Sequence, residues 1–60
     1  MSEKIKVLVS DDNQDFAKTL VNYLSKDEDL EVVGVARDGQ DAYDKILETK
    51  PDVALLDIIN

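Results

Sequence analysis

Three short apolar runs alternate along this chain with two segments of helical period, and that alternation constrains the fold more than any other feature. The first run covers residues 4–9, with Val7-Leu8-Val9 continuous. The second covers residues 30–36, with Val32, Val33 and Val35. Gly34 lies inside it, where the missing side chain permits close packing. The third starts at Val53 and reaches Asp57 or Ile59. Continuous β-branched runs of this length suit strands buried on both faces. Between the first two runs, Phe16, Leu20, Tyr23 and Leu24 recur at helical spacing, and Ala17 and Val21 widen the stripe. Asp12 and Asn13 each suit the N-cap of that helix, which fades near Lys26. Between the last two runs, Asp38-Gly39 is a turn signal. A short amphipathic helix follows on Ala42, Tyr43, Ile46 and Leu47, and Pro51 forces it to end.

The order β-α-β-α-β implies parallel strands joined by right-handed helical crossovers. With the second strand on one side of the first and the third on the other, the strand order is 2-1-3. That is half of a doubly wound α/β sheet. The 60 residues allow one small domain, residues 1–60, of marginal stability. No cysteine is present to supply a disulfide or a thiolate metal site. The net charge of −7 argues against nucleic acid as a partner, because phosphate backbones need a basic patch. Part of this acidity has the plain role of keeping helix faces solvated. No apolar stretch approaches the ~20 residues that span a membrane. Met1-Ser2-Glu3-Lys4 lacks the apolar segment of a secretory signal, so a soluble cytoplasmic location is expected.

Acidic residues close two of the runs. The first ends in Ser10-Asp11-Asp12 and the third in Asp57. In a doubly wound sheet, ligands bind at the carboxyl ends of the strands, where strand order reverses. Here that point lies between strands one and three, so Asp11, Asp12 and Asp57 converge there. Packed carboxylates repel one another unless a proton or a cation intervenes. Oxygen ligands at a strand edge suit Mg²⁺. A carboxylate can also attack phosphorus and form an aspartyl-phosphate. Read singly, Asp12 is better explained as a helix cap, and Asp57 equally well as a turn residue or a reactive group. The combination, in this topology, favours chemistry.

These segments resemble the N-terminal half of a bacterial response-regulator receiver domain, a flavodoxin-like fold. Lys6-Val7-Leu8-Val9-Ser10-Asp11-Asp12-Asn13 resembles the family's acidic-pair strand. Pro51-Asp52-Val53-Ala54-Leu55-Leu56-Asp57-Ile58 resembles its phosphoacceptor strand. Val33-Gly34-Val35-Ala36 with Asp38-Gly39-Gln40-Asp41-Ala42 resembles its second strand and the start of its second helix. In detail, Ser10-Asp11-Asp12-Asn13 and Leu56-Asp57-Ile58-Ile59 look most like the receivers of sporulation master regulators. The resemblance implies that Asp57 is the phosphoacceptor, taking its phosphoryl group from a histidine kinase or phosphorelay protein. It implies that Asp12 and Asp57 ligate Mg²⁺ with the backbone carbonyl of Ile59, and that Asp11 acts through a metal-bound water. Metal binding in this chain is expected to be weak.

Full receivers continue with a Met-Pro motif, where this chain has Asn60, and with further strands and helices. Their switch Ser or Thr and their phosphoryl-contacting lysine have no counterpart among these residues. Lys4, Lys6 and Lys50 fall at the opposite edge of the sheet. Nor is a DNA-binding output domain visible. The expectation is therefore a half receiver that is not an enzyme and at most phosphorylates itself slowly from small donors. Strand three would keep an unpaired apolar edge, so a homodimer through that edge, or exchange of elements between copies, is expected. The alternative function is a self-assembling structural half-fold with no phosphotransfer. A nucleotide- or flavin-binding half is a poor fit, because the acidic turn Ser10-Asp11-Asp12-Asn13 has no glycine to cradle a phosphate.

Overall fold

The computed structural model describes residues 3–57, with Asp57 described by its backbone alone. Its elements are β1 (Ile5–Asp11), α1 (Gln14–Ser25), β2 (Leu30–Ala36), α2 (Gly39–Thr49) and β3 (Val53–Asp57). The strands form one sheet in the order β2-β1-β3, and both pairings are parallel. This is the flavodoxin-like βαβαβ arrangement expected from the sequence.

β1 is the central strand, which explains why its apolar run is continuous. Val7, Leu8 and Val9 are all buried. Successive strand residues face opposite sides. Val7 and Val9 pack with Ala17 of α1, and Leu20, Val21 and Leu24 close around them. Leu8 faces the other side, toward Gly34 and the Lys45 stem of α2. The two helices therefore cover opposite faces of β1 and β2.

The helix ends follow from local chemistry. Asn13 caps α1, its side-chain oxygen accepting from the Asp15 and Phe16 amides at 3.1 Å each. Asp38 caps α2 by accepting from the Asp41 amide at 2.8 Å. α2 stops at Lys50, which turns left-handed (φ 49°) just before Pro51 while its amide still bonds Ile46 O at 2.9 Å. Asp52 then stitches the entry of β3 to β1. Its amide donates to Lys6 O, and its carboxylate accepts from the Lys6 amide, both at 2.9 Å.

Three details differ from the sequence expectation. β1 runs on through Asp11 instead of ending at Val9, because β3 offers Leu56 and Asp57 as partners for Ser10 and Asp11. The α1 stripe seats on Ala17, Leu20, Val21 and Leu24, whereas Phe16 and Tyr23 stay 49% and 72% exposed, and Tyr43 and Leu47 of the α2 stripe are exposed as well. The pairing of β1 with β2 slips by one residue at Val7/Leu8, which leaves Val33 as a bulge and brings Gly34 beneath Leu8. A Cβ at Gly34 would lie 3.2 Å from Leu8 Cδ1, so the close approach expected there is real.

β3 packs chiefly on β1. Its side chains are exposed on both faces, with Leu55 at 38% and Leu56 at 55%.

Candidate functional site

The carboxyl edge of the sheet gathers the ends of β1 and β3 with the starts of both helices. Asp11 is the last residue of β1 and only 4% exposed. Its Oδ1 accepts from the Asn13 amide at 2.8 Å, and its backbone carbonyl accepts from Gln14 Nε2 at 3.0 Å. Its Oδ2 is buried and has no hydrogen-bond partner among the described residues. An unsatisfied buried polar atom costs about 1–3 kcal/mol, and more when charged. Such an orphan oxygen is chemically suited to a hard cation or an ordered water.

Asp12 is exposed in the turn after β1. It does not cap the helix. Asn13 takes that role, so the capping explanation for Asp12 fails. Asp57 ends β3 and is the register partner of Asp11. The backbone thus brings the two strand-end acids side by side, as expected from the topology. The side chain of Asp57 and all of Ile59, including the carbonyl expected to bind metal, lie outside the described residues. Among the described residues alone, no group of three acidic, His or Cys side chains is placed to hold a metal ion.

Sequence reasoning missed two members of this edge. Ser10 is 1% exposed, and its hydroxyl has no partner among the described residues. Arg37 follows Ala36, which pairs with Ser10, so the β2–α2 turn arrives at the same edge. Only the strand register reveals that proximity. The turn holds one charged network: Lys45 Nζ donates to Asp41 Oδ1 at 2.8 Å, and the Arg37 amide donates to Asp41 Oδ2 at 3.2 Å. The Lys45 hydrogen bond, helped by the Arg37 amide, holds the Asp41 carboxyl below its ordinary pKa. Lys4, Lys6 and Lys50 line a cleft with Glu31 and Asp52 at the amino edge, as expected, far from the aspartates.

The family model of the response regulator receiver domain matches residues 7–59. The chain belongs to the response-regulator receiver family. Receivers of two-component systems work with histidine kinases or phosphotransfer proteins, and the family generally binds Mg²⁺ at its phosphorylation site. Two relatives are similar over almost the whole chain. One is the protein-glutamate methylesterase/protein-glutamine glutaminase 5 of Myxococcus xanthus, 54% identical over 55 residues, covering 92% of this chain and 16% of that protein. The other is a protein-glutamate methylesterase/protein-glutamine glutaminase of Caldanaerobacter subterraneus subsp. tengcongensis, 47% identical over 58 residues, covering 97% of this chain and 16% of that protein. The chain thus spans about a sixth of the length of these relatives. Both carry enzyme names, which corrects the expectation of a non-enzymatic identity, although the match is confined to the receiver part. Neither is a sporulation regulator, so the finer likeness drawn from the sequence has no counterpart in them. No helix among the described residues is long and apolar enough to cross a membrane.

Proposed function

We propose that this chain is the phosphoacceptor part of a methylesterase-type response regulator, in which Asp57 receives a phosphoryl group and thereby controls a catalytic domain elsewhere in the protein. One observation carries it: the register pairs Asp57 with Asp11, whose buried Oδ2 has no partner among the described residues. An acid pair with an open oxygen suits a divalent cation, and a cation there offsets both the carboxylate repulsion and the charge of an incoming phosphoryl group. Asp12 and Asp57, with the Ile59 carbonyl, would hold the Mg²⁺ directly, and Asp11 would hold one of its waters. A methylesterase parent is preferred to a sporulation regulator because both relatives described above carry that name and span nearly the whole chain. The reading implies a cytoplasmic protein whose donor is a histidine kinase or phosphotransfer protein.

The test is a Mg²⁺ titration followed by backbone amide shifts. A saturable response localised at Asp11, Asp12 and Asp57 is expected. Asp12→Asn should weaken it, and Asp27→Asn, in the loop before β2, should not. A response spread evenly over the acidic surface would contradict the proposal.

A second reading, self-association of this chain, would use the exposed apolar side chains on both faces of β3. A two-fold axis beside β3 would pair it antiparallel with its copy and close the assembly. Sedimentation at several concentrations distinguishes it: a monomer throughout the micromolar range would rule it out.

A further inference from the structure

The carboxyl edge is crowded with acids. Asp11, Asp12 and Asp57 lie at the strand ends, and Asp38 and Asp41 lie in the turn and first turn of α2. Two basic residues are set among them: Lys45, which is paired with Asp41, and Arg37. Ala36 pairs with Ser10, so Arg37, the next residue, emerges level with Asp11, and Asp11 in turn pairs with Asp57. Strands lie ~4.8 Å apart, so Ala36, the residue before Arg37, sits about one spacing from Ser10 and two from Leu56.

The other cations are engaged or distant. Lys4, Lys6 and Lys50 line the amino-edge cleft, and Lys26 caps the far end of α1. Lys45 is paired with Asp41, and Lys18 lines the groove between α1 and β2. Arg37 is exposed, and among the described residues its guanidinium is in no ion pair. Its amide, donating to Asp41, fixes where the side chain starts.

We propose that Arg37 sets the charge balance of the acceptor site, drawing in an anionic phosphoryl donor while opposing the cation that the aspartates attract. This deepens the acceptor reading of Asp57 and rests on it. A guanidinium stays charged at any working pH and matches phosphate oxygens in a two-pronged geometry, so it serves this purpose better than a bare ammonium. With an acyl phosphate as donor, a carboxylate oxygen of Asp57 forms the new bond to phosphorus. The bond from phosphorus to the acyl oxygen breaks, and the acyl group leaves as a free carboxylate with the electron pair. Arg37 enters only by attracting the donor's phosphoryl oxygens against the net charge of −7.

The two effects have opposite signs, which separates this role from a structural one. Arg37→Gln should tighten Mg²⁺ binding about two- to five-fold, the size expected for one unit charge acting on a divalent ion across one or two strand spacings in water. It should also slow Mg²⁺-dependent phosphorylation by acetyl phosphate several-fold, chiefly through a higher half-saturating donor concentration, and added salt should narrow the gap. Arg37→Lys should restore much of both. The experiment is a Mg²⁺ titration by amide shifts, with phosphorylation followed by intact mass, on the wild-type chain and the two variants. Equal Mg²⁺ affinity in wild type and Arg37→Gln, or a loss of cation and donor binding together, overturns the role of Arg37 while leaving the acceptor site standing. Absence of both Mg²⁺ response and phosphorylation in the wild type overturns the acceptor reading and the role of Arg37 with it.

Discussion

Asn13 and Asp41 show how single polar side chains hold the edge of the sheet in place. Asn13 accepts from two amides of the first turn of α1 while its own amide donates to Asp11. Loss of such a cap costs about 1 kcal/mol, so Asn13→Ala should lower stability by that amount and Asn13→Asp by much less, as read from urea denaturation. Asp41 makes a pH prediction. Its folded pKa lies below the ordinary value because Lys45 donates a hydrogen bond to it, with the Arg37 amide assisting. A depressed carboxyl contributes stability above its unfolded pKa and loses it as the pH falls through the lower, folded value. The pair is only partly buried, so solvent screens it and the contribution is small. In Lys45→Gln, the Asp41 carboxyl should titrate at higher pH by NMR, and the stability difference from wild type should vanish in acid. An unchanged Asp41 titration would show that Lys45 is not the cause.

The three strands differ in the protection they receive. β1 is buried on both faces, and Leu8 is 0% exposed between Gly34 and the α2 side. Removing a buried leucine typically costs about 2–5 kcal/mol, which is most of the stability available to so small a core. Leu8→Ala should therefore shift thermal unfolding steeply, whereas Leu47→Ala, exposed on α2, should barely move it. β2 and β3 are both edge strands among the described residues, yet they are not alike. β2 carries a bulge at Val33 and the exposed charge of Glu31, two features that discourage pairing with another chain. β3 carries Val53, Ala54, Leu55 and Leu56 without a charge until Asp57. Its sequence is that of an interior strand. Leu55→Lys should accordingly abolish any self-association seen by sedimentation, while Glu31→Gln should leave it unchanged.

At the scale of the whole molecule, the fold was legible because each level of the sequence agrees. Continuous apolar runs and segments of period 3.6 alternate cleanly, Asp38-Gly39 and Pro51 punctuate them, and the bounds of β2 matched to the residue. The end of β1 was not legible, since Ser10 and Asp11 are polar and only the partner strand keeps them in the sheet. Asp12 and Asn13 are both good caps, and nothing local in the sequence separates them. Of the site, the neighbourhood of Asp11 and Asp57 followed from topology alone. Arg37 did not, because its place depends on register across β1 and β2, which a slip at Val7/Leu8 alters by one residue. The enzyme names belong to the relatives, and nothing in this stretch of sequence points to them.

The central claim is that Asp57 is the acceptor in a site built with Asp11 and Asp12. Its most direct measurement is the position of the phosphoryl group after incubation with an acyl phosphate and Mg²⁺, trapped by borohydride reduction of the aspartyl-phosphate and located by peptide mass spectrometry. Modification at Asp57 that requires Mg²⁺, weakens in Asp12→Asn and disappears in Asp57→Asn is the predicted result. Modification spread over other carboxylates, or equal labelling with and without Mg²⁺, would contradict it.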